Sequence, residues 1–228
     1  MVTLIGMGSG SWKALSAQAQ DAVRGAGLVF GAKRLLAGLP ADCTAQRFAL
    51  YKPEEILDTL AQHPGQDAAV LYSGDTGFYS GASGLLTPLR ALGIPARVYP
   101  GVSSIQLLSA ALGRPWQDWK LASAHGCSCD PVGLCMTHKA VFFLTGGTET
   151  PASLCRRLSD AGLGNAHATV GENLGTETEA IRYGSAEELA GQSFAPLSVL
   201  LVENFDLPQF RTPGLPDESF LRGEVPMT

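Results

Sequence analysis

The sequence predicts an α/β protein made of two α/β domains that face each other across an inter-domain cleft. Short apolar runs alternate with amphipathic stretches along most of the 228 residues, and such alternation is typical of parallel sheets covered by helices. The pattern pauses at Gly113-Arg114-Pro115-Trp116 and then restarts. We therefore expect an N-terminal domain over residues 1–115 and a C-terminal domain over residues 116–205.

The first half is predicted to hold strands at residues 2–6, 28–30, 68–72 and 96–99. One helix begins after Ser16, a good N-cap residue, and ends at Gly27, where a C-cap glycine belongs. A second helix starts at Pro53, because proline is favoured at the first helical position. Two more helices are predicted at residues 82–92 and 104–112.

The second half repeats the alternation, with strands predicted at residues 120–123, 140–144, 166–170, 179–183 and 198–202. Helices are expected at residues 151–161 and after Ser185, which forms a capping box with Glu188. The segment 206–228 is proline-rich and lacks apolar periodicity. It is typical of an extended tail or linker, and it suggests a chain cut from a longer protein.

Composition limits the classes of partner. The net charge is −5 and no dense run of lysine and arginine is present, so we expect no nucleic-acid partner. No uncharged apolar stretch reaches the roughly 18 residues that indicate a membrane span, and residues 1–6 carry no basic signal-peptide region. We expect a cytoplasmic protein that neither crosses a membrane nor binds nucleic acid.

The five cysteines are an odd number, which argues against a disulfide framework. Cys127, Cys129 and Cys135 cluster between His125 and His138. Structural zinc sites usually take cysteines in two closely spaced pairs, and a second pair is missing here. Reduced thiols and no metal are the expectation.

Five glycine-bearing or polar segments follow predicted strands, at residues 6–10, 73–81, 100–104, 144–147 and 171–176. Ligands of parallel sheets bind outside the carboxyl ends of strands, so these segments would line one cleft. The first does not match a dinucleotide fingerprint, because its third glycine comes one residue early and no acid follows the second strand. Structural roles stay open, with Asp75 as a turn aspartate and Ser103 or Ser104 as an N-cap.

In this order, four strings resemble the tetrapyrrole methylases, a family of two-domain enzymes that use S-adenosylmethionine. The strings are Ser73-Gly74-Asp75-(x)2-Phe78-Tyr79, Pro100-Gly101-Val102-Ser103-Ser104-Ile105-Gln106, Ser123-Ala124-His125-Gly126 and Glu172-Asn173-Leu174-Gly175. The last two resemble the branch that methylates C5 of a precorrin in cobalamin biosynthesis. The string from Gly214 to Phe220 resembles the linker to a second methyltransferase domain in the fused form of that branch.

The resemblance implies S-adenosylmethionine as cofactor, S-adenosylhomocysteine as product, a precorrin substrate, a homodimer and a missing C-terminal methyltransferase domain. The implied cofactor contacts are Ser73, Gly74, Asp75, Phe78, Ser103, Ser104, Thr145, Asn173, Leu174 and Gly175. The implied substrate contacts are Met7, Gly8, Ser9, Arg34 and His125. His125 and Glu172 are the candidate general bases, and Lys13 and Lys33 are further candidate partners for substrate carboxylates.

The chain departs from the family pattern at three positions. Ser9 and Thr76 stand where the family usually has proline, and Cys127 stands where it usually has arginine. Two other functions therefore stay open, which are methylation of another substrate by the same fold and binding of a tetrapyrrole without catalysis.

Overall fold

The computed structural model describes residues 1–205, so the predicted tail and linker at 206–228 lie outside the described residues. This part of the chain forms two five-stranded sheets, each covered by helices. Within it, every helix is too short or too polar to span a lipid bilayer.

The first sheet is entirely parallel, with the strand order β3-β2-β4-β1-β5. Its strands are β1 (Val2–Gly6), β2 (Leu28–Gly31), β3 (Gln46–Phe48), β4 (Ala68–Tyr72) and β5 (Ala96–Tyr99). Strands β1, β2 and β4 are almost fully buried, as expected for central parallel strands covered on both faces. The predicted strands are present, and β3 is an additional edge strand of three residues.

Four helices cover this sheet, α1 (Ala17–Arg24), α2 (Lys33–Ala37), α3 (Pro53–Gln62) and α4 (Ala82–Ala91). One face of the sheet packs against α1 and α2, and the other packs against α3 and α4. Ser16 caps α1 by accepting a 3.2 Å hydrogen bond from the Ala19 amide. The predicted C-cap at Gly27 is wrong: α1 ends at Gly25, because the Gly27 amide already bonds the Asp67 carbonyl beside β2.

The second sheet is mixed, with the strand order β6-β7-β10-β8-β9. Its strands are β6 (Lys120–Ser123), β7 (Ala140–Leu144), β8 (His167–Glu172), β9 (Ala180–Ser185) and β10 (Ser198–Glu203). Only β6 and β7 run parallel; every other pair is antiparallel. The expectation of mainly parallel sheets is therefore wrong here, because β10 runs antiparallel to both of its neighbours and the short turn from β8 to β9 forms a hairpin.

The remaining helices are α5 (Ser104–Leu112), α6 (Pro131–Thr137), α7 (Pro151–Leu158) and α8 (Ala186–Ala190). Helices α6, α7 and α8 cover one face of the second sheet. Helix α7 ends earlier than predicted, and an irregular turn over Ser159–Leu163 follows, in which Gly162 has a φ of 85°. The capping box of Ser185 and Glu188 forms as predicted.

Helix α5 joins the two sheets. It follows the first sheet in the chain, yet Ile105 and Leu108 pack with Phe142 and Leu201 on the inner face of the second sheet. Phe78, from the loop after β4, reaches the same cluster, with ring centroids 6.1 Å from Phe142. The division of the chain at residues 115 and 116 stays a prediction, since α5 belongs to the first half by sequence and to the second sheet by packing.

Candidate functional site

A cavity of about 380 Å³ lies where the carboxyl edge of the first sheet meets the second sheet, and we call it the main cavity. Both halves of the chain line it. The first half contributes Gly8, Ser9, Arg34, Ser73, Gly74, Asp75, Phe78, Tyr79, Val102, Ser103, Ser104 and Leu107. The second half contributes His125, Leu144, Thr145, Gly171, Asn173, Leu174, Thr176, Pro196, Leu197, Ser198 and Val199.

The wall from the first sheet, which we call the first rim (residues 6–10, 73–81 and 100–104), is held together by backbone. Gly8 and Gly74 exchange hydrogen bonds of 3.0 and 2.8 Å, with φ values of 58° and 66° that favour glycine. Gly6 and Gly101 approach so closely that a Cβ on Gly6 would lie 2.6 Å from the Gly101 nitrogen. Packing between neighbouring strand ends therefore requires glycine at positions 6 and 101, and the backbone conformation favours it at positions 8 and 74.

Asp75 organises the first rim. One carboxylate oxygen accepts the Gly77 amide and the other accepts the Gly101 amide, each at 3.0 Å. The Thr76 hydroxyl donates to the Tyr99 carbonyl at 3.4 Å, which also ties this loop to the end of β5. Asp75 lines the main cavity as predicted, and its carboxylate also accepts a backbone amide of its own turn.

Arg34 brings a cation to the main cavity. Its guanidinium donates a hydrogen bond to the Ser73 hydroxyl, and no carboxylate within residues 1–205 forms an ion pair with it. Partial burial lowers the pKa of Arg34 from its usual value, but a guanidinium stays charged at neutral pH. A charged group without a protein counter-ion at a cavity wall is suited to an anionic ligand.

The first turn of α5 also faces the main cavity. Ser103 is buried, and its amide and hydroxyl both donate to the Gln106 side-chain oxygen, at 2.8 and 3.1 Å. Ser103 therefore begins the helix, as its N-cap interpretation predicts, while Ser104 lines the cavity beside it. The positive end of the helix dipole is thus directed at the cavity.

His125 stands at the end of β6, on the wall from the second sheet. Its Nδ1 lies 3.2 Å from the Thr145 carbonyl. Because a carbonyl only accepts, Nδ1 carries the hydrogen, and Nε2 of the neutral ring keeps its lone pair. A Cβ on Gly146 would lie 2.5 Å from His125 Cε1, so glycine at that position leaves room for the ring.

Thr145 and Asn173 complete this wall, which we call the second rim (residues 123–125, 144–147, 171–176 and 196–199). The Thr145 hydroxyl donates to the Ser198 carbonyl at 2.5 Å, which ties the end of β7 to the start of β10. Asn173 has a φ of 49°, a left-handed conformation that asparagine tolerates better than most residues. The Thr176 hydroxyl donates to the Asn173 carbonyl at 2.8 Å and fixes the turn.

Three predicted site residues are placed elsewhere. The Met7 side chain is fully buried in the core of the first half, so the substrate contact predicted for it is not available. Glu172 is 8% exposed and accepts Arg182 Nε and the Ala195 amide, each at 2.6 Å. Its carboxylate is thus engaged outside the lining of the main cavity, and its role as a base stays a prediction. Gly175 lines a second cavity instead.

Sequence reasoning missed the start of β10, where residues 196–199 line the main cavity. The predicted segments all follow the carboxyl ends of strands, but β10 runs antiparallel to β7 and β8, so its amino end reaches the same edge. Sequence reasoning also missed Leu107 of α5, which lines both cavities. Tyr79 lies in the predicted segment 73–81 and lines the main cavity with a φ of 47°, and its ring centroid lies 4.9 Å from that of Phe78.

The second cavity has a volume of about 340 Å³, and we call it the side cavity. It shares Gly8, Ser9, Val102 and Leu107 with the main cavity. The residues that line it alone are Gly6, Ser11, Lys13, Ala14, Gly101 and Gly175. The first rim and the Asn173–Gly175 turn meet between the two cavities, where a Cβ on Gly175 would lie 3.2 Å from Ser9 Cβ. Lys33 lines neither cavity.

The five cysteines are free thiols that differ in burial. Cys135 is buried among apolar residues, and burial raises the pKa of its thiol to about 12. Cys127 is exposed and donates to the Ser123 carbonyl at 3.2 Å. Within residues 1–205, no three metal-ligating side chains are arranged around a common point.

The sequence is similar to those of known proteins. The model for tetrapyrrole (corrin/porphyrin) methylases matches residues 1–190. The cobalt-precorrin-7 C(5)-methyltransferase of Salmonella typhimurium is 33% identical over 186 residues, covering 80% of this chain and 90% of that protein. The decarboxylating precorrin-6Y C(5,15)-methyltransferase of Mycobacterium tuberculosis is 29% identical over 224 residues, covering 96% of this chain and 56% of that protein.

Solved structures show the same fold. The uroporphyrin-III C-methyltransferase of Thermus thermophilus, crystallised with S-adenosylhomocysteine, superposes with a TM-score of 0.71 at 20% identity. The match covers 89% of this chain and 91% of that structure. The described residues form two helix-covered sheets around a common cavity, and the family model matches most of the chain. This chain therefore belongs to the tetrapyrrole (corrin/porphyrin) methylases.

Proposed function

We propose that this chain transfers a methyl group from S-adenosylmethionine to C5 of a precorrin in cobalamin biosynthesis. The observation that carries the proposal is the main cavity, which both halves of the chain build from the strings that resemble the C5-methylating branch. The identity of 33% to a cobalt-precorrin-7 C(5)-methyltransferase supports the same position of methylation.

The main cavity fits S-adenosylmethionine in size and in chemistry. Its 380 Å³ falls within the range of about 300–1,000 Å³ for sites that enclose small organic ligands. Apolar side chains of Leu144, Leu174 and Val199 offer a surface for a purine ring. Ser104 and Asn173 offer polar groups for the ribose and the amino-acid portion, while the Thr145 hydroxyl in the same wall is bonded to the Ser198 carbonyl.

Methyl transfer requires the protein mainly to position the two reactants. When bound, S-adenosylmethionine supplies a methyl group on a positively charged sulfur, which departs as a neutral thioether and needs no proton. The two rims hold two reactants in one cleft, and alignment of reactants alone contributes about 7–11 kcal/mol to such reactions. This agrees with walls built from backbone, glycine and hydroxyl groups.

His125 is the side chain that can accept a proton from the ring carbon. Its Nδ1 is directed at the Thr145 carbonyl, so Nε2 is the basic atom. Arg34 supplies a positive charge for one of the carboxylates that such macrocycles carry. The Asp75 carboxylate is already occupied by two backbone amides and shapes the wall.

The relatives are of two kinds. This chain covers most of the cobalt-precorrin-7 enzyme and about half of the C(5,15)-methyltransferases that it matches. We therefore propose C5 methylation as the activity of the described residues. A second methyltransferase domain as covalent partner remains part of the proposal, and so do a homodimeric assembly and a cytoplasmic location.

Calorimetric titration with S-adenosylhomocysteine tests the cofactor site. We expect Ser104→Trp to fill the main cavity and weaken binding at least about 100-fold, a loss of roughly 2.7 kcal/mol. Ala110→Trp is the matched control, because it lies on an exposed position of the same helix α5. Equal affinity of Ser104→Trp and the wild type would place the cofactor somewhere else.

Turnover tests the reaction. We expect the purified protein to add one methyl group to cobalt-precorrin-7 or to precorrin-6Y, detected by mass spectrometry. Methylation of a different tetrapyrrole only would support the alternative of another substrate on the same fold. Binding of a tetrapyrrole with no affinity for S-adenosylhomocysteine would support the non-catalytic alternative.

A further inference from the structure

Glu179 is the last residue of the turn between β8 and β9, and it lies outside the lining of both cavities. Its carboxylate accepts the Gly175 amide at 2.6 Å, and its own amide donates to the Thr176 carbonyl at 3.2 Å. Within residues 1–205, no cation forms an ion pair with this carboxylate. The Glu179 side chain is therefore directed at the backbone of its own turn, through a short, charge-assisted hydrogen bond.

The turn that Glu179 holds has a backbone that needs support. Asn173 and Gly175 have φ values of 49° and 74°, and a residue other than glycine keeps such a conformation only where its surroundings hold it. Leu174 is buried in the apolar cluster on the inner face of the second sheet, whereas residues 175–179 are exposed. The exposed part of the turn has no core packing, so its conformation depends on hydrogen bonds such as the one to Glu179.

The position of this turn decides the shape of the main cavity. Asn173, Leu174 and Thr176 all belong to the cavity lining. Gly175 faces the first rim instead, where a Cβ on it would lie 3.2 Å from Ser9 Cβ. A displacement of Gly175 would therefore move the cavity wall and open the contact between the two rims at the same time.

We propose that Glu179 is a positioning residue for S-adenosylmethionine, because it holds the turn Asn173–Gly175 in the conformation that lines the main cavity. Glu179 contacts no reactant and acts through the Gly175 amide. Without its carboxylate the turn samples other conformations, and the apparent Kd rises in inverse proportion to the fraction of molecules in which the turn is formed. The proposal rests on the proposed function only for the location of the cofactor, and it is independent of the methyl acceptor.

Three substitutions, compared by calorimetric titration with S-adenosylhomocysteine, test this role. Glu179→Ala removes the acceptor, and we expect a Kd about tenfold higher, as for a turn that is formed in about a tenth of the free molecules. Glu179→Gln keeps an acceptor oxygen on a side chain of the same length, so its Kd should stay within about threefold of the wild type. Glu177→Ala, on an exposed residue of the same turn outside both cavities, should leave the Kd unchanged.

Amide hydrogen exchange of the free protein supplies a second reading of the same turn. We expect the Gly175 amide to exchange about tenfold faster in Glu179→Ala than in the wild type, because it has lost its acceptor. We expect the urea midpoint to stay close to that of the wild type, since Glu179 is exposed. A purely structural role would instead lower the urea midpoint and leave the Kd unchanged.

The outcomes separate this proposal from the proposed function. An unchanged Kd in Glu179→Ala, an equal loss in Glu177→Ala, a loss that Glu179→Gln does not restore, or no binding of S-adenosylhomocysteine by the wild type would overturn the role of Glu179. Absence of methyl transfer to every precorrin offered would overturn the proposed function and leave the binding and exchange results valid.

Discussion

The two walls of the main cavity differ in the groups that form them, which are mainly backbone in the first rim and mainly side chains in the second rim. In the first rim, Gly6, Gly74 and Gly101 bring three strand ends into backbone contact, and Asp75 fixes them with its carboxylate. In the second rim, the exposed groups are side chains such as His125 and Asn173. The first rim is thus a fixed surface in which sequence is dictated by packing. The second rim is a surface in which side chains can change without moving the backbone.

The difference follows from the topology of the sheets. All strands of the first sheet end at the same edge, so its loops crowd together there, and at Gly6 and Gly101 a Cβ would collide with neighbouring backbone. The second sheet is mixed, so the start of β10 separates the ends of β7 and β8. This spacing leaves room for side chains between neighbouring loops. Substitutions of the tightly packed first-rim glycines should therefore affect folding most strongly, and substitution of a second-rim side chain that is exposed to the cavity, such as His125, should affect function.

The largest effect is expected from Gly101→Ala. The new Cβ would lie 2.5 Å from the Gly6 carbonyl oxygen and even closer to that of Gly74. Because backbone is the obstacle, the free energy of unfolding should fall by about 3 kcal/mol, the upper end of typical overpacking costs. Urea denaturation measures this loss. Gly191→Ala is the control, since nothing lies within 4 Å of a Cβ there; equal stability of the two variants would contradict a packed first rim.

His125→Gln is expected to act on catalysis instead. Loss of a general base typically lowers kcat by about 100-fold or more, while the exposed position of His125 predicts an unchanged urea midpoint. Steady-state methyl transfer at saturating cofactor measures the effect. His138→Gln is the matched control in the same half of the chain, because His138 lines neither cavity. A kcat within twofold of the wild type would remove His125 from the proton transfer.

Glu172→Gln tests a structural role against a catalytic one. The neutral amide cannot replace the charge that accepts Arg182 and the Ala195 amide, so we expect a loss of about 2 kcal/mol in the free energy of unfolding. We expect kcat at low temperature to stay within threefold. Glu177→Gln, on an exposed residue of the neighbouring turn, should change neither quantity. A large fall in kcat without a loss of stability would support Glu172 as a base.

Thr145→Val is expected to give the smallest effect. The substitution keeps the shape and removes the hydrogen bond to the Ser198 carbonyl, which should cost about 1 kcal/mol. Because the backbone of the second rim stays in place, the Kd for S-adenosylhomocysteine should change less than about threefold. Thr145→Ser retains the hydroxyl and serves as the control. A loss of stability as large as that of Gly101→Ala would erase the distinction between the rims.

The sequence predicted the first rim better than the second. Glycines after predicted strands located residues 6–10 and 73–81 correctly, because the carboxyl edge of a parallel sheet is a general binding position. The start of β10 was missed since its direction depends on pairing with β7 and β8, which are far apart in sequence. Strand β3 and helices α2 and α6 were missed because they are too short for a periodic pattern.

The direction in which a side chain points was the second property of the site that could not be predicted from the sequence. Met7 and Glu172 occupy predicted site segments, but no local pattern indicates that the Met7 side chain enters the core and that Glu172 pairs with Arg182. Both outcomes depend on tertiary contacts with residues distant in the chain. In contrast, Ser16 and Ser185 were identified correctly as helix caps, because a cap is decided within four residues.

The position of the transferred methyl group is the most direct test of the account. The protein is incubated with cobalt-precorrin-7 and S-adenosylmethionine labelled with ¹³C in the methyl group, and the product is examined by NMR. We predict a single labelled methyl group bonded to C5, formed by the wild type and strongly reduced in Ser104→Trp. A label on any other atom, or no label in the product although S-adenosylhomocysteine binds, would contradict C5 methylation as the function of this cavity.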